Sequence, residues 1–229
     1  MCASIETNQL KDNKQLNSQT AILPAQDKTN ALVQPNNPLE LEWDEFPDKY
    51  ANTTPLGLIS FGLTTVLLSL SNVNAYKMNS MIIGMGIFYG GMTQFVAGTF
   101  EIREGHTFGG VAFCSYGAFW LSFCTIICGS TFLGVEASNY KSTGTFLLFW
   151  CVFTIAMFIA LLKHGTISEK LIFGSLAITF LFLAIGEYAE SKTVTRIGGG
   201  IGILCGLIAI YAGCATVINS DQGTNVLPL

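Results

Sequence analysis

Hydrophobic and polar residues fall in long blocks along this chain. Six apolar runs, residues 55–71, 78–100, 107–130, 142–162, 171–186 and 197–218, contain no Asp, Glu, Lys, Arg or His. Most approach the roughly 20 residues that a helix needs to cross the hydrocarbon of a bilayer. Lipid offers no hydrogen bonds to backbone amides, so a spanning run is either helical or part of a closed barrel. Barrel strands alternate with period two over about 10 residues. That alternation is absent here, and the uninterrupted stretch 146–162 is too long for such a strand. The pattern predicts an all-α membrane protein with six transmembrane helices. Short connections make neighbouring helices antiparallel and put both chain ends on one side.

Residues 1–50 are rich in Asn, Gln, Lys, Thr and Ala without apolar periodicity, which is the composition of a disordered hydrophilic tail. Residues 51–220 form the expected six-helix domain, and 221–229 a short polar C-terminal tail. The start of the chain lacks a basic region followed by an apolar stretch, so no cleavable signal is expected. A long hydrophilic tail without an export signal favours cytoplasmic termini. Charge bias is silent on this point: Lys49, Arg103, Lys163 and Lys170 flank one set of helix ends and Lys77, Lys141, Lys192 and Arg196 the other.

Composition restricts the function classes. Half of the residues are hydrophobic and 11% are charged, against about 25% charged in a soluble domain. The net charge of −4 includes Glu40, Glu42, Asp44, Glu45 and Asp48, gathered ahead of the first run, so nucleic acid is not an expected partner. Cys114, Cys124, Cys128, Cys151, Cys205 and Cys214 lie inside apolar runs and read as small packing residues. Gly198, Gly202 and Gly206 repeat at four-residue spacing, a pattern that lets helix backbones approach closely. His106 and His164 occupy separate connections without a partner at i+3 or i+4. Glu101, Glu104, Glu136, Glu169, Glu187 and Glu190 stand at run ends, where solvated charge is the expectation. No nucleophile and base, metal-ligand spacing or phosphate loop emerges, so neither an enzyme nor a cofactor is indicated.

A conduit is the natural alternative. Thr64, Thr65, Tyr89, Thr93, Gln94, Ser115, Tyr116, Trp120, Ser122 and Thr154 bring hydrogen-bonding groups into the runs. Membrane-helix hydroxyls commonly bond back to the i−4 carbonyl. Gln94 and Tyr116 are more informative, because a primary amide or phenol in hydrocarbon needs a partner. With no charge inside the runs, the solute that suits this path is small and neutral, or readily neutralised.

Asn52-Thr53-Thr54-Pro55-Leu56-Gly57-Leu58 reads as a helix start, with Thr54 able to cap and Pro55 at the first helical position. Free amides there favour an anion. These seven residues resemble the Asn-Pro-Ala-Pro-Leu-Gly-Leu signature of the acetate uptake transporter family, which includes bacterial succinate/acetate permeases and fungal acetate and ammonia-export proteins. The likeness continues through residues 62–70, Gly86-Ile87-Phe88-Tyr89-Gly90-Gly91 with Gln94, Gly105-His106-Thr107-Phe108-Gly109, and residues 112–120. It spans residues 51–229, with Thr53 and Thr54 standing where the family has Pro and Ala.

What the resemblance implies is a six-helix protomer with a pore inside it, assembled as a homohexamer in a plasma membrane with cytoplasmic termini. Its substrates would be acetate and similar short-chain monocarboxylates, with succinate a further candidate, and transport would be proton-linked or channel-like. The resemblance puts a hydrophobic pore constriction at Phe61, Tyr116 and Leu176. Substrate contacts are expected at Asn52, Pro55, Leu56, Gly57, Thr64 and Gln94. Passage of another small solute such as ammonia or ammonium is the alternative reading.

Overall fold

The computed structural model describes residues 51–229, so the expectations for the tail 1–50 lie outside the described residues. Helix α1 (Thr54–Asn72) is followed by a second span in three pieces: α2 (Ser80–Met85), a π-helical stretch (Gly86–Thr93) and α3 (Gln94–Arg103). Then come α4 (Thr107–Leu133), α5 (Tyr140–Leu161), α6 (Ile167–Tyr188) and α7 (Lys192–Gln222). Six helices are long and apolar enough to cross a membrane, and no strand occurs among the described residues.

Several helices outrun their apolar cores, because polar residues at their ends continue the helix. The 31 residues of α7 include Lys192 and Arg196. At 1.5 Å per residue that helix is about 46 Å long, more than the ~30 Å hydrocarbon core requires. Reciprocal caps set two starts. Asn139 and Ser142 bracket the beginning of α5. At α6 the Glu169 carboxylate accepts the Thr166 N–H at 2.7 Å, while Thr166 Oγ1 accepts the Glu169 N–H. Glu169 is thus a cap ligand at a helix start, where the macrodipole favours negative charge, rather than merely a solvated charge.

The helices close into a ring. α1 packs on α7, α7 on α6 and α6 on α5, while the second span packs on both α1 and α4. Small residues make the closest of these contacts. A Cβ added at Gly206 would stand 2.7 Å from the carbonyl oxygen of Gly62, and one at Gly62 would stand 2.7 Å from the carbonyl oxygen of Gly206. Of the expected glycine stripe, Gly202 and Gly206 meet α1 at Ser69 and Gly62, whereas Gly198 packs on Phe182 and Leu183 of α6. Between α4 and α5 the opposite device operates: Tyr116 meets Phe153 at 5.5 Å and Phe119 meets Trp150 at 5.2 Å between ring centroids. Large rings rather than close backbones join those two helices.

Apolar side chains on the outside, such as Phe149, Val152 and Ile159 on α5, are exposed, as suits a lipid-facing surface. Among the cysteines, Cys124, Cys151 and Cys205 are buried while Cys214 is exposed, so only some of them serve internal packing. The C-terminal residues fold back on α7. The Asn219 side chain accepts from the Leu227 N–H and donates to the Leu227 carbonyl, and Tyr211 donates to the Pro228 carbonyl.

Candidate functional site

Three side chains from three helices meet at the wall of one cavity. Phe61 of α1, Tyr116 of α4 and Leu176 of α6 are all buried and line one cavity together. The Phe61 and Tyr116 rings are 5.8 Å apart at their centroids, and Tyr116 also touches Phe173 at 6.0 Å. Its phenol is not turned into the cavity unpaired. The hydroxyl donates to Thr154 Oγ1 at 3.0 Å, and Thr154 in turn donates to the Trp150 carbonyl at 2.7 Å. The polar end of Tyr116 is thereby tied to α5.

Gln94 opens α3, just where the π-helical stretch ends, and its side chain reaches the same cavity. It is 0% exposed, and neither amide atom has a hydrogen-bond partner among the described residues. An unpaired buried amide costs about 1–3 kcal/mol. The cavity is small, about 20 Å³, room for roughly one water.

Beyond Phe61 and Leu176 lies a larger chamber of about 80 Å³, whose polar lining includes Thr65, Thr179 and Trp120. Asn72, Glu187 and Thr195 line both this chamber and an open mouth of about 410 Å³ flanked by Lys192, Arg196 and Glu190. The mouth thus shares Asn72, Glu187 and Thr195 with the chamber, and the chamber shares Phe61 and Leu176 with the Gln94 cavity. The π-helical stretch contributes through its glycines: a Cβ at Gly90 would stand 2.9 Å from Trp120 Cδ1, so the indole lies flush against bare backbone. Neither the π geometry nor this seat was apparent in the sequence.

The other expected substrate contacts are placed differently. Thr64 donates to the Ser60 carbonyl at 2.8 Å and faces Gly90 in helix packing, so its hydroxyl is already used. Leu56 is 42% exposed on the outer surface. Pro55 and Gly57 are buried; Gly57 lies under the ring of Phe113, and the Pro55 carbonyl lies beside Gly213. Asn52 is exposed, and its side chain accepts the Thr54 N–H at 3.0 Å. Thr54 is not the cap of α1. Its hydroxyl instead donates to Glu101 Oε1 at 2.7 Å, joined there by the Thr53 hydroxyl at 3.0 Å.

Glu101 thus departs from the expectation of a solvated charge. It is 2% exposed, and its second oxygen accepts from His106 Nδ1 at 3.1 Å, with Glu104 also 3.5 Å from that nitrogen. The anion that the start of α1 holds is the chain's own carboxylate. Thr53 and Thr54, the two departures from the family signature, are the residues that hold it. Sequence spacing gave one hint: Gln94 and Glu101 are seven residues apart, hence on one helix face.

Comparison with known proteins follows the same lines. The profile of the GPR1/FUN34/yaaH family matches residues 39–229. The succinate-acetate/proton symporter SatP of Escherichia coli K12 is 42% identical over 181 residues, covering 79% of this chain and 96% of that protein. Acetate permease A of Emericella nidulans is 33% identical over 198 residues, with 79% of this chain and 66% of that protein covered. The ammonia transport outward protein 2 of Saccharomyces cerevisiae is 40% identical over 182 residues, with 75% and 64% covered. Among solved structures, that of the bacterial acetate channel SatP superposes with a TM-score of 0.77 at 42% identity, covering 79% of this chain and 99% of that one.

Proposed function

The chain belongs to the GPR1/FUN34/yaaH family, and on that premise we propose that it transports acetate and similar short-chain monocarboxylates across a membrane. The observation that carries this reading is the unpaired, fully buried Gln94 amide beside an apolar narrowing of Phe61, Tyr116 and Leu176. An amide offers both a donor and an acceptor, which is what a carboxylic acid needs once its water is removed. The chamber and mouth that share walls with this cavity suit a small solute, and the relatives named for acetate cover nearly the same length of chain.

Energetics favour crossing as the neutral acid. A short-chain acid has a pKa near that of Glu, about 4.3, so at pH 7 roughly one molecule in five hundred is protonated. Taking up that proton costs about 3.7 kcal/mol at 1.36 kcal/mol per pH unit. Stripping water from a buried carboxylate ion costs several kcal/mol, so masking the charge is the cheaper way past three apolar side chains. Proton-linked movement then needs no titrating residue in the narrowing. Homohexameric assembly, a plasma-membrane location and cytoplasmic termini belong to the same proposal and rest on the sequence resemblance.

Uptake of labelled acetate into proteoliposomes tests the reading, with propionate and ammonium as competitors. Acetate uptake inhibited by propionate and indifferent to ammonium is the expected result. Ammonium-sensitive permeation with no acetate uptake would instead support the reading suggested by the ammonia-transport relative. Leu176→Ala widens the narrowing and is expected to admit lactate or succinate. Unchanged exclusion of both would count against Leu176 as the gatekeeper.

A further inference from the structure

We propose that Glu187, on the wall shared by the open mouth and the inner chamber, is a charge filter that turns back the carboxylate ion and passes the neutral acid. This rests on the transport reading and assigns its preference for the neutral species to one residue.

Leu176, Phe180, Leu183 and Glu187 recur at helical spacing on α6, and all four line the chamber. Glu187 therefore stands on the stripe that carries Leu176, about 16 Å further along the helix at 1.5 Å per residue. With Asn72 and Thr195 it also lines the mouth. A solute moving from one space to the other passes these three residues, and only Glu187 among them carries charge.

Every other residue lining the chamber is uncharged. The other charged residues of the mouth, Glu190, Lys192 and Arg196, are exposed, whereas Glu187 is half-buried. Solvent-exposed charges are screened over a Debye length of about 8 Å, and partly buried ones much less. The titratable groups that share a lining with Glu187 are Tyr140 of α5, Lys192 and Arg196 of α7, and Glu190 beyond α6; α1 and α4 bring none. Among the described residues its carboxylate makes no hydrogen bond or ion pair, even with the two cations of the mouth. Its own helix disfavours it as well, since Glu187 lies in the last turn of α6, where the macrodipole favours cations. An unpartnered carboxylate at that place works against the fold. What it supplies is a negative field at the shared wall.

That field sorts the two forms of the acid. The ion meets like charge with no buried cation to offset it, while the neutral acid meets an acceptor that its O–H can use. Two like charges about 4 Å apart disfavour the ion roughly fivefold at the dielectric of water, and far more at the lower dielectric of a protein wall. Lys192 and Arg196 gather anions in the mouth, and Glu187 denies them the chamber until a proton is on.

The test is labelled acetate uptake into proteoliposomes at about pH 7.5 on both sides, where nearly all of the acid is ionised, with and without a valinomycin-set potassium potential, positive inside. A potential of about 100 mV can concentrate a permeant anion about 50-fold. The wild-type initial rate should be indifferent to the potential, whereas that of Glu187→Gln should rise about tenfold or more with it. Glu187→Asp should behave as wild type, and so should Glu190→Gln, which removes the same charge from the exposed rim. Potential-indifferent uptake by Glu187→Gln overturns the filter and leaves the transport reading intact, as does wild-type uptake already driven by the potential. A potential-driven rate in Glu190→Gln equal to that in Glu187→Gln also overturns it, because net charge and not position would then be responsible. A Glu187→Gln protein with wild-type melting temperature and no flux overturns it too, since the residue would be required for passage. If the wild type moves no acetate, the transport reading falls, and potential-driven chloride entry decides the filter: entry in Glu187→Gln alone supports it, and entry in neither or in both overturns it.

Discussion

Replacing Gln94 by Met should make the protein more stable and a worse transporter. The side chain is fully buried with both amide atoms unpaired. Its penalty is about 1–3 kcal/mol, trimmed because the adjoining cavity of about 20 Å³ has space for roughly one water. A single water cannot satisfy two N–H groups and two lone pairs, so about 1–2 kcal/mol of penalty remains. Met keeps the unbranched shape without the polar atoms, so thermal unfolding in detergent should shift upward. Transport moves the opposite way. Losing two net hydrogen bonds to the acid, at about 1 kcal/mol each, lowers the initial rate of acetate uptake at low concentration about 10- to 30-fold. The rate is measured in proteoliposomes at matched protein incorporation. A variant that melts lower, and loses flux only in proportion to its folded fraction, would refute the reasoning and make Gln94 a structural residue with a partner.

Other consequences are as specific. Thr54→Val deletes the 2.7 Å hydrogen bond to buried Glu101 and should destabilise by about 1.5–3 kcal/mol, the range for bonds to charged groups. In a thermal double-mutant cycle with Glu101→Gln it should show a coupling of at least about 0.5 kcal/mol, and strict additivity would refute that link. Gly206→Ala forces a Cβ to 2.7 Å from the Gly62 carbonyl and should cost about 1–3 kcal/mol. Gly200→Ala on the same helix meets nothing within 4 Å and should instead stabilise by up to about 1 kcal/mol; melting temperatures moving in the same direction would contradict the packing account. If the neutral acid is the crossing species, acetate flux at fixed total concentration falls about tenfold per pH unit above its pKa of about 4.3. Flux independent of pH between 5.5 and 7.5 would point to conduction of the anion.

Class and span count were legible because they follow from length and composition: six uncharged runs have no other way to satisfy their backbones in lipid. The glycine spacing on α7 likewise announced a close crossing, although its partner, Gly62 on α1, emerged only in three dimensions. Phe61, Tyr116 and Leu176 could be named beforehand by resemblance, yet residues 55 and 60 positions apart in the chain meet only because α1, α4 and α6 wall one cavity.

Roles that depend on partners were decided by tertiary structure alone. Thr64 and Thr65 are neighbours of identical chemistry. One spends its hydroxyl on Ser60 and the other leaves it unpaired against a cavity, a difference set by where each residue falls around the helix. Glu101 read as a solvated end charge because its partners, Thr53, Thr54 and His106, come from α1 and from the connection to α4. Hydrophobicity is a property of each residue and is carried by the chain. Hydrogen-bond satisfaction is a property of pairs, and the folded arrangement alone brings the pairs together.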